Sequence, residues 1–309
     1  MRHAAILVSG SRNPAFCSQI AALTAAVRAI PWSHWQPAIY AFLGGPSSEN
    51  DDADWNRWAP FLEDVVVTKV SPESFGLKDN WAQVDAALEL APKDADVLVL
   101  LDADTLPVGS LADTLDRVAD EDLVAGVMAH YAPPAIASRS DWLRLAEGII
   151  REPLSFCHTY SLVEPEVARN ELTPFYVNGG VMMFGRTCFD RFAPRYLEIR
   201  EHLAERVDDA FVGQIASTLT IAETGLRTWA LPMRFNFPND PVAERLHPDE
   251  AANIVIHHYL RTTRFDRHRI FATPDAFNQF LALALEGPDQ RFQTAVRHLF
   301  DSRYPFALS

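Results

Sequence analysis

Cysteine is scarce in this 309-residue chain, which has only Cys17, Cys157 and Cys188, widely spaced and with no CxxC pair. An odd, scattered set excludes a disulfide framework and argues against a cysteine-based zinc site. It suits a reducing compartment such as the cytoplasm and reads as three small core residues. Basic residues are also few, with 27 Lys and Arg against 41 Asp and Glu and a net charge of -14. A nucleic-acid groove or an anionic membrane surface needs clustered cations, so neither is an expected partner. No apolar run approaches the length of a membrane-spanning helix. The N-terminal residues enter a strand pattern too early to hold a signal-peptide core.

What the chain does have is apolar bulk. Hydrophobic residues make up 48% of it, enough to bury a substantial core in one large domain. Residues 4–8 read as a buried strand. Asn13-Pro14 then offers an N-cap and a first-turn proline for a helix whose stripe is Ile20, Leu23, Val27 and Ile30. Strands are predicted at 38–42 and 64–70, on either side of a loop rich in Gly, Pro, Ser, Asn and Asp. A helix at 80–90 follows, with Trp81, Val84 and Leu88 on one face and Asn80 with Gln83 as a capping box. Val97-Leu98-Val99-Leu100-Leu101 is apolar without alternation, as expected of a central strand covered on both faces. Strands and helices alternate as in a Rossmann-like α/β half. Beyond residue 121 the pattern is mixed, with a bend at Pro133-Pro134, a helix at 141–150 and an aromatic, Gly-rich segment at 175–184.

Asp-Ala-Asp occurs three times, at 52–54, 94–96 and 102–104, so position has to decide between them. The first lies in a polar loop and the second precedes the apolar strand. Only Asp102-Ala103-Asp104 leaves that strand at its carboxyl end, where open α/β sheets bind ligands. Two carboxylates one residue apart can share a hard cation, Mn²⁺ or Mg²⁺, that keeps coordination positions open for diphosphate oxygens. The bland alternative is that Asp102 and Asp104 cap a turn into Leu106-Pro107-Val108.

The run from Val97 through Asp102-Ala103-Asp104 to Thr105 resembles the DxD segment of GT-A-fold glycosyltransferases, and other segments extend the likeness in chain order. Phe175-Tyr176-Val177-Asn178-Gly179-Gly180-Val181 is similar to a strand of the glycogenin-like retaining family (family 8 type) that lies beside donor sugar and acceptor. Ile254-Val255-Ile256-His257-His258-Tyr259 resembles the late strand whose histidine supplies the third metal ligand. His258 is favoured by strand parity, with His257 as the alternative. Asp208-Asp209-Ala210-Phe211-Val212-Gly213-Gln214 stands where the family has an Asp-Gln pair, but Gly213 breaks the match. Leu231-Pro232-Met233-Arg234-Phe235-Asn236-Phe237 resembles a further segment, for which a structural role is expected. The family's Gly and Lys-Pro-Trp after the histidine are missing. Arg261-Thr262-Thr263-Arg264 follows instead, so Arg261 or Arg264 is expected to bind phosphate.

The resemblance implies one α/β domain over 1–309 with a central mixed, mainly parallel sheet flanked by helices. Its halves are a nucleotide-binding part at 1–120 and an acceptor and catalytic part at 121–275. Residues 276–309 form a C-terminal helical extension, with 292–306 closing over the site. It further implies transfer from a nucleotide-diphosphate sugar, UDP-sugar first, with Asp102, Asp104 and His258 on the metal. Donor contacts fall to Ser9, Gly10, Lys78, Asn80, Asp102, Ala103, Asp104, Asn178, Gly179, Gly180 and Arg261. Retention would place Gln214 beneath the sugar, whereas inversion would use Asp209 as general base. Two other readings stay open. A sugar-phosphate nucleotidyltransferase would have a better Gly-rich loop than Ser9-Gly10-Ser11-Arg12-Asn13, and a sugar-nucleotide-binding module without turnover would fit the broken Asp-Gln site. The acceptor is left open.

Overall fold

The apolar run at 97–101 is indeed a central strand. In a computed structural model, which describes residues 1–44, 57–70, 82–168, 172–207, 211–261 and 263–306, it forms β4 (Val97–Asp102), the middle of seven strands. The others are β1 (Arg2–Ser11), β2 (Trp35–Gly44), β3 (Val65–Lys69), β6 (Val124–Met128), β7 (Val177–Gly185) and β8 (Thr228–Ala230), in the order β3-β2-β1-β4-β7-β6-β8. All neighbours are parallel except β7, which runs antiparallel to both β4 and β6. The sheet is therefore mixed and mainly parallel, as expected.

The helices of eight or more residues are α1 (Pro14–Ala29), α2 (Ala82–Glu89), α3 (Ala112–Glu121), α4 (Arg139–Ala146), α5 (Arg186–Ala204), α6 (Val212–Glu223), α7 (Pro274–Ala282) and α8 (Gly287–Leu299). α1 starts as its sequence dictates. The Asn13 side chain accepts from the Phe16 amide at 3.0 Å and Pro14 occupies the first turn, where a missing N–H costs nothing.

Strand alternation sends residues to two cores. Ile6, Val8, Val99 and Leu101 join a cluster with α1 and with Phe277, Phe280, Phe292 and Phe306 of the C-terminal region. Leu7 and Leu98 join the other, with Phe184, Phe189 and Phe192. The C-terminal segment does not close over a cleft. Phe292 stacks on Tyr259 with ring centroids 4.6 Å apart and Phe306 packs on Trp58 and Phe61, because burying these rings is worth more than leaving them at a rim. Cys17 and Cys188 are core residues, but Cys157 is exposed, lying in the irregular segment after α4.

A second, three-stranded sheet assembles the far end of β4. β5 (Thr105–Pro107) follows Asp104 directly and pairs antiparallel with β10 (Ile256–His258), which in turn pairs parallel with β9 (Phe237–Pro238). No helix among the described residues is long and apolar enough to cross a membrane.

Candidate active site

The register of the small sheet sets His258 opposite Thr105, and the Tyr259 amide donates to the Asp104 carbonyl at 3.1 Å. A histidine far along the chain is thereby carried onto the Asp-Ala-Asp turn, which is itself held by a 2.7 Å bond from the Thr105 hydroxyl to the Asp102 carbonyl. His258 Nε2 lies 3.3 Å from Asp104 Oδ1 and 3.8 Å from Asp102 Oδ2. Ligand atoms of all three residues fall within 4.8 Å of one another, close enough to share one cation. His257 points the other way on β10, buried edge-on against Phe292, with its imidazole pushed down to about 3 by burial and by Arg291.

A buried hydrogen-bond chain orients the imidazole. Gly180 donates its amide to Asn178 Oδ1 at 2.9 Å, and Asn236 Nδ2 donates to the same oxygen at 3.1 Å. The Asn236 carbonyl oxygen is therefore turned toward His258 Nδ1, 2.9 Å away, and accepts its proton. Nε2 is left to face the carboxylates, as a metal-ligating imidazole requires. Gly180 is obligatory in this packing, since a Cβ there would lie 2.4 Å from His258 Cε1.

The electrostatics favour a cation. Burial opposes ionisation of Asp104, but the His258 and Arg267 charges outweigh it and hold the carboxyl below its usual range. The enclosing protein and then the Asp104 charge raise the Asp102 carboxyl, although its side chain keeps 57% exposure to the cleft. Burial lowers the His258 imidazole, and Asp104 and Asp102 more than restore it, leaving it raised. Arg267 Nη1 bonds Asp104 Oδ2 at 2.5 Å and the Leu260 carbonyl at 3.0 Å, so a guanidinium already sits beside the triad.

Asp102 and His258 of the triad line a cleft of about 530 Å³ that also takes in Ser9, Asn178, Gly179, Gly180, Gln214 and Arg267. Gln214 Oε1 accepts from the Gly179 amide at 3.2 Å, tying α6 to β7. Two expected donor residues face elsewhere. Gly10 packs against α1, where a Cβ would meet Phe16 Cδ1 at 2.9 Å, and Ala103 is buried in the core. Arg261 is not at the cleft either. It pairs with Asp240 at 2.6 Å and lines a separate cavity with Arg264 and Asp289, because the Asn239 side chain accepts its backbone amide and turns the chain outward. Lys78, Asn80, Asp208 and Asp209 lie outside the described residues, as does the first Asp-Ala-Asp.

Sequence reasoning did not reach Arg267 or the hydrogen bonds that Asn236 makes. The Arg267 position depends on the path of the loop after β10. Asn236, expected to be structural, binds residues 58 and 22 positions away. Its only sequence signal was the Leu-Pro-x-x-Phe-Asn pattern.

No family model matches this sequence, and no curated protein does. Solved structures match it well. The apo bifunctional glycosyltransferase WbbM aligns with a TM-score of 0.54 at 12% identity over 94% of this chain and 51% of its own, so this chain spans about half the length of that protein. The galactosyltransferase LgtC, solved with donor and acceptor sugar analogues, aligns with a TM-score of 0.52 at 15% identity over 94% of this chain and 99% of its own. The glycosyltransferase GlyE of Streptococcus pneumoniae TIGR4 gives 0.50 at 11% identity, over 97% and 63%. With a mixed seven-stranded sheet and an acidic turn at the end of its middle strand, the chain has the GT-A fold of these glycosyltransferases.

Proposed function

We infer that the chain is a glycosyltransferase that moves a sugar from a nucleoside diphosphate, UDP first among them, to an acceptor hydroxyl, using Mn²⁺ or Mg²⁺. The observation that carries this reading is the Asp102, Asp104 and His258 cluster, with His258 Nδ1 committed to Asn236. Two carboxylates and one oriented imidazole suit such an ion, which when bound supplies positive charge against a departing diphosphate.

The chain's own residues divide the remaining work. Arg267 can turn its guanidinium from Asp104 toward the diphosphate, a role first expected of Arg261. Ser9 pairs with Asp102 across adjacent strands, at the side where the nucleoside would lie. Gly179 and Gly180 leave room for Gln214 and His258, whose side chains line the cleft that the sugar would enter. The acceptor oxygen bonds to the anomeric carbon as the bond to diphosphate breaks, and the hydroxyl proton leaves with the diphosphate. Gln214 lines the cleft, which supports retention with this side chain beneath the sugar. Cys17, Cys157 and Cys188, none of them in a disulfide, fit a cytoplasmic setting.

The test is a panel of UDP-, GDP- and dTDP-sugars with and without Mn²⁺, read by thermal shift and by release of free nucleotide. We expect manganese-dependent stabilisation and slow hydrolysis with one donor class, both lost in the double variant Asp102→Ala, Asp104→Ala. Equal binding by that variant in chelator would overturn the metal assignment. Pyrophosphate release from a nucleoside triphosphate would favour a nucleotidyltransferase, and binding without hydrolysis a non-catalytic module.

A further inference from the structure

Asp104 divides its two oxygens between two partners. Oδ1 faces His258 Nε2 at 3.3 Å, and Oδ2 accepts from Arg267 Nη1 at 2.5 Å. The guanidinium has further anchors, since the same Nη1 donates to the Leu260 carbonyl at 3.0 Å and Nε donates to His268 Nε2 at 3.3 Å. Behind it the backbone is tied to the core, where the buried Gln19 side chain of α1 donates to the Arg267 carbonyl at 3.3 Å. The side chain itself lines the cleft and keeps 26% of its surface exposed. Arg267 can therefore leave Asp104 by rotating its side chain while its backbone stays in place.

Counting charges shows what such a move requires. Asp102 and Asp104 carry two negative charges when ionised, and an imidazole that ligates a metal is neutral. Those two carboxylates balance a divalent ion held by Asp102, Asp104 and His258, and the Arg267 charge is then left over. A guanidinium that loses its counter-ion in a partly buried site opposes binding of the ion that displaced it. A nucleoside diphosphate brings negative charges of its own, on oxygens that a guanidinium meets with the same fork of donors it offers a carboxylate.

We propose that Arg267 is a resident cation that makes metal binding conditional on the diphosphate. In the free chain it holds Asp104 and weakens the site for a bare ion. Once the diphosphate enters, Arg267 passes from the carboxylate to phosphate oxygens, and ion and nucleotide each strengthen the binding of the other. The inference rests on the transferase reading and adds to it a coupling between the two ligands, carried by one side chain.

The experiment is titration of the full chain with Mn²⁺, alone and with saturating UDP or GDP, following the free ion by electron paramagnetic resonance. Arg269→Ala controls for general charge, because Arg269 is 81% exposed on the same segment and pairs with Asp266. Without nucleotide, Arg267→Ala should bind Mn²⁺ about tenfold tighter than wild type, a gain that misfolding does not produce, while Arg267→Lys and Arg269→Ala should stay close to wild type. One of the nucleotides should tighten Mn²⁺ binding by about tenfold or more in wild type and by a much smaller factor in Arg267→Ala. No gain in Arg267→Ala, or an equal gain in Arg269→Ala, overturns the role of Arg267 and leaves the metal site standing. If no form binds Mn²⁺ with either nucleotide, the metal reading itself fails and this inference goes with it.

Discussion

The two faces of the seven-stranded sheet are made from the same kinds of residue and put to different uses. On the α1 face, Ile6, Val8, Val99 and Leu101 meet side chains, and rings close the core, with Phe265 stacked on Phe292 at 5.7 Å and edge-on to Phe280 at 4.9 Å. On the α2 and α5 face, Leu7 and Met182 join a second core with Phe184 and Phe192, but Leu100 is only half-buried and borders the cleft that takes in Asp102 and Gln214. One face is therefore closed by protein along its length, and the other gives way to a cleft at the carboxyl end. The teaching point is that hydropathy marks a residue as shielded from water without saying whether protein or ligand does the shielding.

The comparison predicts a double dissociation. The largest effect belongs to the ring face, where Phe280 is 2% exposed. Phe280→Ala should cost ~3–5 kcal/mol in urea unfolding and leave the metal-dependent affinity of the remaining folded protein unchanged. Loss of affinity in step with stability would mean that the two faces are not independent.

Next comes the buried pair behind the cleft wall. Asp85→Asn mimics the neutral carboxyl that burial favours and should be no less stable than wild type at pH 7, and the double variant Asp85→Asn, Arg200→Met serves as the pH-independent reference. Burial pushes the Asp85 carboxyl from 3.8 up to about 6 against the pull of Arg200. The folded chain therefore holds this proton more tightly than the unfolded chain. The stability it contributes is complete below pH 3.8 and disappears as the pH rises through about 6. Relative to the double variant, wild type should lose about 3 kcal/mol over that window. A flat difference would refute the shift.

The smallest effect on folding should come from the cleft itself. Asn236→Ala frees His258 Nδ1 and should weaken Mn²⁺ binding by about 10- to 100-fold, with little change in unfolding midpoint. An unchanged metal affinity would show that Asn236 only fills space.

Much of the architecture was legible because local chemistry and global position agree along β1, α1, β2 and β4. The capping Asn13, the unbroken apolar run and the acidic turn all say the same thing. The antiparallel course of β7 could not be read, since a strand covered on both faces looks alike in either direction. Strand parity did single out His258, whose partners come from the register of β5 against β10. Arg261 and Arg267 could not be ranked from sequence. Their charges are identical, and the Asn239 side chain decides which of them turns away.

The pairing of β5 with β10 has a consequence for the order in which the cluster comes together. The aspartates leave the early strand β4 and the imidazole arrives on the late strand β10, so the three ligand atoms meet only when the small sheet has closed. Synthesis from the N-terminus makes the acidic turn long before His258 and Arg267 exist to counter its charge.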